Sequence, residues 1–334
     1  MPASRPRILY AVQTTGNGHL TRSLDIVPLL QARAEVDVLL SGPPTTMPLP
    51  YQPAHRAVGM GFVFGKKGDI DFPRTLGQLH GRTFVREMRA LPVDDYDLVI
   101  SDFEPVSAWA CRLRGRKCVA LSHQDAVLNR HAPQSRKPDL PGRLVLQHLA
   151  PATAHYGFHF QRYDACIFTP VIRQQVRELT VRNDGHYTVY LPAYATETLV
   201  ERLRQVSQSV PFEVFSKHAT ADEQHGNVRV RPVSGADFLA SLGACEGVLC
   251  GAGFETPAEA LFLGKKLLVS PMRSQYEQRC NAAALRAMGV PVIKGLKDQH
   301  LDVIGEWLTN GRTVPVDYPD ETGAVLDQVL RENL

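Results

Sequence analysis

The stretch "TTGNGHLTR", residues 14–22, sets two glycines and a histidine directly after an apolar run. Glycine tolerates positive φ and close backbone approach, so Gly16 and Gly18 suit a turn that meets a ligand. A helix starting near residues 19–21 would aim its free backbone N–H groups at that turn. His19 beside it is a candidate base. The loop is not a Walker A motif, because no Lys-Ser/Thr follows the glycines. Nor is it G-x-G-x-x-G, because Thr21 stands at the last position. The plainer alternative is a structural strand-to-helix turn with a solvated histidine.

A second stretch, "DLVISDFEP" (residues 97–105), ends an apolar run on Asp102 and Glu104. In an open parallel sheet both carboxylates fall at the carboxyl edge that the first turn shares. A carboxylate there can bond one ring nitrogen of His19, fix its tautomer and raise its basicity. The alternative for Asp102 or Glu104 is to cap the helix that follows.

The third stretch is "GVLCGAGFETPAEALFLGKKLLVSPMRSQYEQRCNAAALRAMG", residues 247–289. An apolar run ends at Cys250, and Gly251, Gly253 and Phe254 lie in a glycine-rich turn. Glu255 or Thr256 can cap the next helix, whose first turn accepts Pro257. Such a helix start attracts a pyrophosphate through its unpaired N–H groups and its dipole. Glu259, one turn further on, can accept from both hydroxyls of a ribose. Glu277 and Gln278 open another helix and can accept from and donate to sugar hydroxyls. Solvated helix positions are the alternative for Glu259 and Gln278.

These stretches need a scaffold. Short apolar runs rich in β-branched residues recur as "RILYAV", "VDVLLSG", "DLVISDF", "KCVALSH" and "ACIFTP", then "YTVYLP", "FEVFSK", "VRVRPV", "GVLCGAG", "KLLVSP" and "VPVIKG". Bounded by Gly or Pro, they read as strands buried on both faces. Helical segments between them ("TRSLDIVPLLQAR", "TETLVERLRQVSQ", "TPAEALFLG", "SQYEQRCNAAALRAMG") imply an α/β protein with parallel sheets. Five strands precede "TPVIRQQVRELTVRNDGHY" and six follow it, which places a boundary near Gly185 and two domains, 1–185 and 186–334. Residues 43–73 and 123–141 read as long loops. Ligands of such sheets bind outside the carboxyl ends of strands, in the cleft between the two halves.

The bulk properties remove several classes. At 334 residues and 44% hydrophobic content, the chain can bury ordinary cores. A net charge of +3 with scattered Lys and Arg argues against a nucleic-acid partner. Six cysteines without C-x-x-C spacing argue against zinc and redox motifs. No signal-like or membrane-spanning apolar run is present, so a cytoplasmic protein is expected. Residues 59–72 ("GMGFVFGKKGDIDF") mix aromatics with Lys66 and Lys67. They read as a packed loop, with a lid or a peripheral membrane contact as the alternative.

The third stretch resembles the donor motif of GT-B glycosyltransferases, similar to the MurG-type and UDP-glycosyltransferase families. Gly253, Thr256, Glu259, Gly264, Glu277, Gln278, Asn281 and Ala282 stand at compatible spacing, and Gly16, Gly18 and His19 match the families' first loop. The sequence departs at Gly251, where plant enzymes carry histidine, at Glu255 in place of asparagine, and at Phe254 in place of tryptophan. The resemblance implies two Rossmann-like parallel-sheet domains facing each other across a cleft, the front one for the acceptor and the rear one for the donor. The last helix could pack back on the front domain. It implies inverting transfer of a sugar from a nucleotide diphosphate donor, a UDP-sugar, to an acceptor hydroxyl. Gly251, Gly253, Phe254, Glu255 and Thr256 would surround the pyrophosphate, Glu259 the ribose, and Glu277 with Gln278 the sugar. His19 would be the base and Asp102 its orienting acid. No D-x-D pair lies in the donor-side loops, so no obligatory metal or cofactor is expected. The acceptor stays open between lipid, polysaccharide, protein and small molecule. A UDP-sugar epimerase or hydrolase on the same fold, or a non-catalytic nucleotide-sugar-binding subunit, is the alternative.

Overall fold

The computed structural model describes residues 5–45, 47–60 and 81–334. Most of the loop 59–72, with Lys66 and Lys67, therefore lies outside the described residues. The first sheet is built from β1 (Arg7–Gln13), β2 (Glu35–Ser41), β3 (His55–Ala57), β4 (Leu98–Asp102), β5 (Cys118–Ser122), β6 (Ala154–Phe158) and β7 (Ile167–Phe168). Its order is β3-β2-β1-β4-β5-β6-β7, parallel throughout. The second contains β8 (Tyr187–Tyr190), β9 (Phe212–Ser216), β10 (Glu223–His225), β11 (Val228–Pro232), β12 (Gly247–Gly251) and β13 (Lys266–Ser270). Its order is β10-β11-β9-β8-β12-β13, parallel except for the β10–β11 hairpin at one edge. Both orders are doubly wound, and chain direction along the sheet reverses between β1 and β4 and again between β8 and β12. Those two reversal points open crevices at the carboxyl ends of the strands.

The helices around the first sheet are α1 (Asn17–Gln31), α2 (Gly81–Ala90), α3 (Pro105–Arg114), α4 (His123–Leu128), α5 (Leu140–His148) and α6 (Gln174–Arg177). Those that follow in the chain are α7 (Thr196–Val206), α8 (Gly235–Ala244), α9 (Glu255–Phe262), α10 (Tyr276–Ala287), α11 (Asp298–Asn310) and α12 (Thr322–Asn333). The central strands β1, β4, β5 and β12 are buried on both faces, as their continuous apolar runs require. The last helix, α12, is held to front-lobe residues: Asp327 accepts from Arg33 at 2.6 Å, and the Asn333 carbonyl from Lys117 at 2.9 Å. Among the described residues no helix is long and apolar enough to cross a membrane.

Several expectations need correction. "VPVIKG" is not a strand; it contributes a single bridge between Val292 and Val269. Strands β3, β6 and β10 were not anticipated. In β6 ("AHYGF"), Gly157 answers a packing need. A Cβ there would lie 2.6 Å from the Ala126 backbone nitrogen, so the missing side chain lets α4 rest on the strand. Residues 123–141 are not a plain loop: α4 starts directly after β5, its Ser122 cap accepting from Asp125 N. Six residues are too few to show a helical period in the sequence.

Candidate active site

Parallel pairing sets the first half of the site. Val12 of β1 lies in register with Asp102 of β4, so the turn after β1 and the end of β4 share one crevice. Gly16 takes φ 91° at the start of α1, a left-handed conformation that favours glycine, and no side chain caps this helix end. His19 follows on the first turn. Its Nδ1 lies 2.8 Å from Oδ1 of Asp102, which is wholly buried. A carboxylate only accepts, so Nδ1 carries the proton and Nε2 keeps its lone pair. Nε2 has the Gln124 amide nitrogen 3.5 Å away.

Between Asp102 and Glu104 the chain turns through Phe103 at φ 56°, a strained setting for a bulky residue. This turn lets the two carboxylates diverge. Asp102 faces His19, while Glu104 caps α3 by accepting from Val106 N at 2.7 Å and Ser107 N at 2.6 Å. The capping alternative thus falls to Glu104 alone. Burial pushes its carboxyl up from the ordinary range, against those hydrogen bonds. Replacing Glu104 with alanine is expected to lower the unfolding free energy by about 1–2 kcal/mol, the worth of a helix cap. Urea unfolding checks this, and nucleotide affinity should not move.

Sequence reasoning reads Arg22 as a solvated surface residue, with reach to a phosphate as the alternative, and misses its burial against Asp102. Arg22 is 2% exposed. Three positions after His19 on α1, it sits on the same helix face, the one signal that could have placed it. Its Nε donates to Asp102 Oδ2 at 3.1 Å, and its Nη2 reaches both carboxylate oxygens at 2.6 and 2.8 Å. Nη1 crosses the cleft to Glu255 Oε1 at 2.8 Å. Burial, the Arg22 guanidinium and the His19 ring act on Asp102. Burial pushes its carboxyl up, and Arg22 with His19 more than offsets that, so it lies below its ordinary range.

The second half of the site follows β12. The expected capping of α9 by Glu255 or Thr256 is not found: Phe254 is the cap residue, without a side-chain bond, and Glu255 and Thr256 are the first two helical residues. The carboxylate of Glu255 is drawn away to Arg22. It also lies against Gly18, where an added Cβ would be 2.7 Å from its Cδ. Gly18 is therefore a close-approach glycine. Gly251 and Gly253 leave room at the turn; a Cβ on Gly253 would meet nothing within 4 Å. Phe254 is buried and stacks on His123 at 3.9 Å between ring centroids, so only its backbone is free to meet a phosphate. His123 is a packing residue between the lobes, with Nε2 2.8 Å from Asn281 Oδ1.

Glu259 is 2% exposed and accepts from Nε and Nη2 of Arg173, at 2.5 and 2.8 Å. Burial pushes it up from the ordinary carboxylate range, and Arg173 opposes that shift. Its carboxylate still has two lone-pair directions to offer. Glu277 accepts from the Gln124 amide at 3.0 Å, and Gln278 accepts from Met272 N at 3.0 Å. Hence His19, Asp102, Gly18, Glu255 and Glu277 converge on one cleft, linked by Arg22 and Gln124. Glu259, one turn beyond Glu255 on α9, and Gln278, next to Glu277 on α10, are each held by a partner.

Comparisons with known proteins agree with this architecture. A family model described as "Glycosyl transferase family 1" matches residues 6–311. Among solved structures, the glycosyltransferase SnogD from Streptomyces nogalater matches with a TM-score of 0.56 at 14% identity, over 98% of this chain and 100% of that one. UGT2 of Phytolacca americana, complexed with UDP-2fluoro-glucose and pterostilbene, matches with a TM-score of 0.57 at 14% identity, over 99% and 94% of the two chains. A UDP-glucosyltransferase from Polygonum tinctorium, capable of glucosylating indoxyl, gives a TM-score of 0.60 at 15% identity, over 100% and 95%. No curated protein matches the sequence. Two facing parallel-sheet lobes and a family match over nearly the whole chain lead to one assignment: the protein is a glycosyltransferase of the GT-B fold and belongs to glycosyl transferase family 1.

Proposed function

We propose that this enzyme moves a sugar from a UDP-sugar to an acceptor hydroxyl with inversion, using His19 as base and no obligatory metal. We place the division of labour near Gly185, with the acceptor on the front lobe and the donor on the rear one. One observation carries the reading: Nδ1 of His19 is tied to buried Asp102, which leaves Nε2, with the Gln124 amide nitrogen 3.5 Å away, as the base in the cleft that Arg22 bridges to the start of α9. In this mechanism Nε2 takes the acceptor hydroxyl proton as that oxygen bonds to the anomeric carbon. The bond from that carbon to the diphosphate oxygen breaks, and its electron pair leaves with the diphosphate. The free N–H groups of α9 meet the growing charge. Such a helix end supplies only about 0.3–2 kcal/mol, so most of the rate must come from alignment and exclusion of water between the lobes. The solved UDP-sugar complex of a similar fold supports a UDP donor.

A thermal-shift screen over nucleotides tests the donor. UDP at one hundred times its dissociation constant should stabilise the fold by about 2.7 kcal/mol, more than GDP or dTDP at equal concentration. No stabilisation by any nucleoside diphosphate would sink the reading. Glu259→Ala is expected to weaken UDP by about 1.5–3 kcal/mol, the worth of hydrogen bonds to a charged group. The UDP analogue lacking both ribose hydroxyls should bind this variant and the native protein equally.

A further inference from the structure

The start of α9 presents a contradiction of charge. A diphosphate seated there would meet Glu255, a carboxylate on the first turn of the same helix. The ionic groups around Glu255 are the guanidiniums of Arg22 and Arg173 and the carboxylates of Asp102, Glu259 and Glu255 itself. An incoming diphosphate would face a net negative cluster. Asp102 cannot yield, because it is wholly buried and gripped by Arg22 through Nε and Nη2. Glu255 can, because its side chain is 26% exposed and, among the described residues, its carboxylate is held by Arg22 Nη1 alone. Nη1 is the only guanidinium nitrogen not engaged with Asp102, and it points from the front lobe at the tip of α9.

A second observation marks the same cleft as built for a ligand. Gln124 is 5% exposed, and its Oε1 has no hydrogen-bond partner among the described residues. Its Nε2, on the same amide, lies beside His19 Nε2 and bonds Glu277. A buried acceptor left unpaired between the base and Glu277 costs free energy until a hydroxyl donor arrives.

We propose that Arg22 is a further catalytic residue: its Nη1 receives the donor's diphosphate, and Glu255 holds that place in the ligand-free molecule. This rests on the reading of α9 as the donor site. Donor entry moves the Glu255 carboxylate aside, and the diphosphate takes over its bond to Arg22. The guanidinium, fixed in place by Asp102, then faces the oxygen that gains charge as the sugar leaves. Glu255 thus competes with the diphosphate rather than binding it.

Calorimetric titration with inorganic pyrophosphate tests this without knowledge of base, sugar or acceptor. Glu255→Gln keeps the shape and removes the competing charge, and should bind pyrophosphate about tenfold tighter than the native protein. Arg22→Lys should bind it about tenfold more weakly, because an ammonium cannot hold Asp102 and a phosphate in one plane. In the Arg22→Lys background the Glu255→Gln gain should shrink below about threefold, since the two act as a unit. Uridine, which has no phosphate, should bind all four forms alike. Pyrophosphate binding that is absent, unchanged or weaker in Glu255→Gln overturns the proposal. So does an equal gain for uridine, which would mean that the variant only loosens the lobes. The functional reading fails separately: UDP binding no tighter than pyrophosphate in every form would remove the uridine donor and leave the Arg22 result standing.

Discussion

Alanine at His19 is expected to lower sugar transfer by about 10²–10⁴-fold, the contribution of a positioned general base. UDP affinity should stay within about twofold, because the lost interaction acts on the acceptor proton and not on the bound donor. The geometry gives the reason for the split. His19 reaches the donor half only through Arg22, whose Nη2 lies 3.2 Å from Nδ1, and through the Gln124 amide. Removing the imidazole leaves Arg22 held on Asp102 through Nε and Nη2, so its place at the donor is kept. Asp102→Asn supplies the companion test. An amide nitrogen facing Nδ1 would drive the proton to Nε2 and abolish the base, so its loss should approach that of His19→Ala. UDP release from UDP-sugar in the presence of cell extract, as acceptor source, measures turnover, and calorimetry measures UDP affinity. Parallel loss of turnover and UDP affinity in His19→Ala would contradict the assignment of base and donor to different lobes.

What the sequence revealed and what it hid divide along contact distance. His19 and Asp102 could be paired from sequence because each follows or ends an apolar strand run, and in this sheet β1 and β4 are neighbours across the switch point. The glycine-rich turn before α9 was visible for the same reason. Arg22 was not. Its burial depends on Asp102, 80 positions away, and on Glu255, 233 positions away, and no local pattern reports such partners. Glu255 was misjudged by the same omission. Capping rules treat an acidic residue at a helix start in isolation, and here a cation on the opposite lobe outbids the helix's own N–H groups. Glu259 shows an intermediate case. Its place on the first turns of α9 followed from spacing, but Arg173, which neutralises it, lies in the segment that separates the two strand series. Among the strands, β3 and β10 have three residues each, too short for any alternation to show.

Because Arg22 carries so much of this arrangement, its removal should be the most damaging single change in the front lobe. Arg22→Met keeps the length and apolar stem but leaves the wholly buried Asp102 with the imidazole as its one close donor, Tyr10 standing 3.5 Å away. Stranding a buried charge in this way costs about 3–5 kcal/mol. The pH dependence fixes the sign. In the native protein Asp102 lies below its ordinary range, so its contribution is present above an unfolded value of about 3.9 and is lost as pH falls through the lower folded value. In Arg22→Met burial prevails and the folded value rises above the unfolded one. The carboxylate then opposes folding at neutral pH, and the deficit against the native protein should narrow as pH falls through that raised value. The chain has two tryptophans, Trp109 on α3 and Trp307 in the rear lobe, so urea unfolding in a Trp307→Phe background reports the front lobe through Trp109. Arg22→Met combined with Asp102→Leu removes both charges together and should recover most of the lost stability, although it cannot recover activity. A deficit below about 1 kcal/mol in Arg22→Met, or a double variant as unstable as the single one, would show that the buried guanidinium is not what keeps Asp102 charged beneath His19.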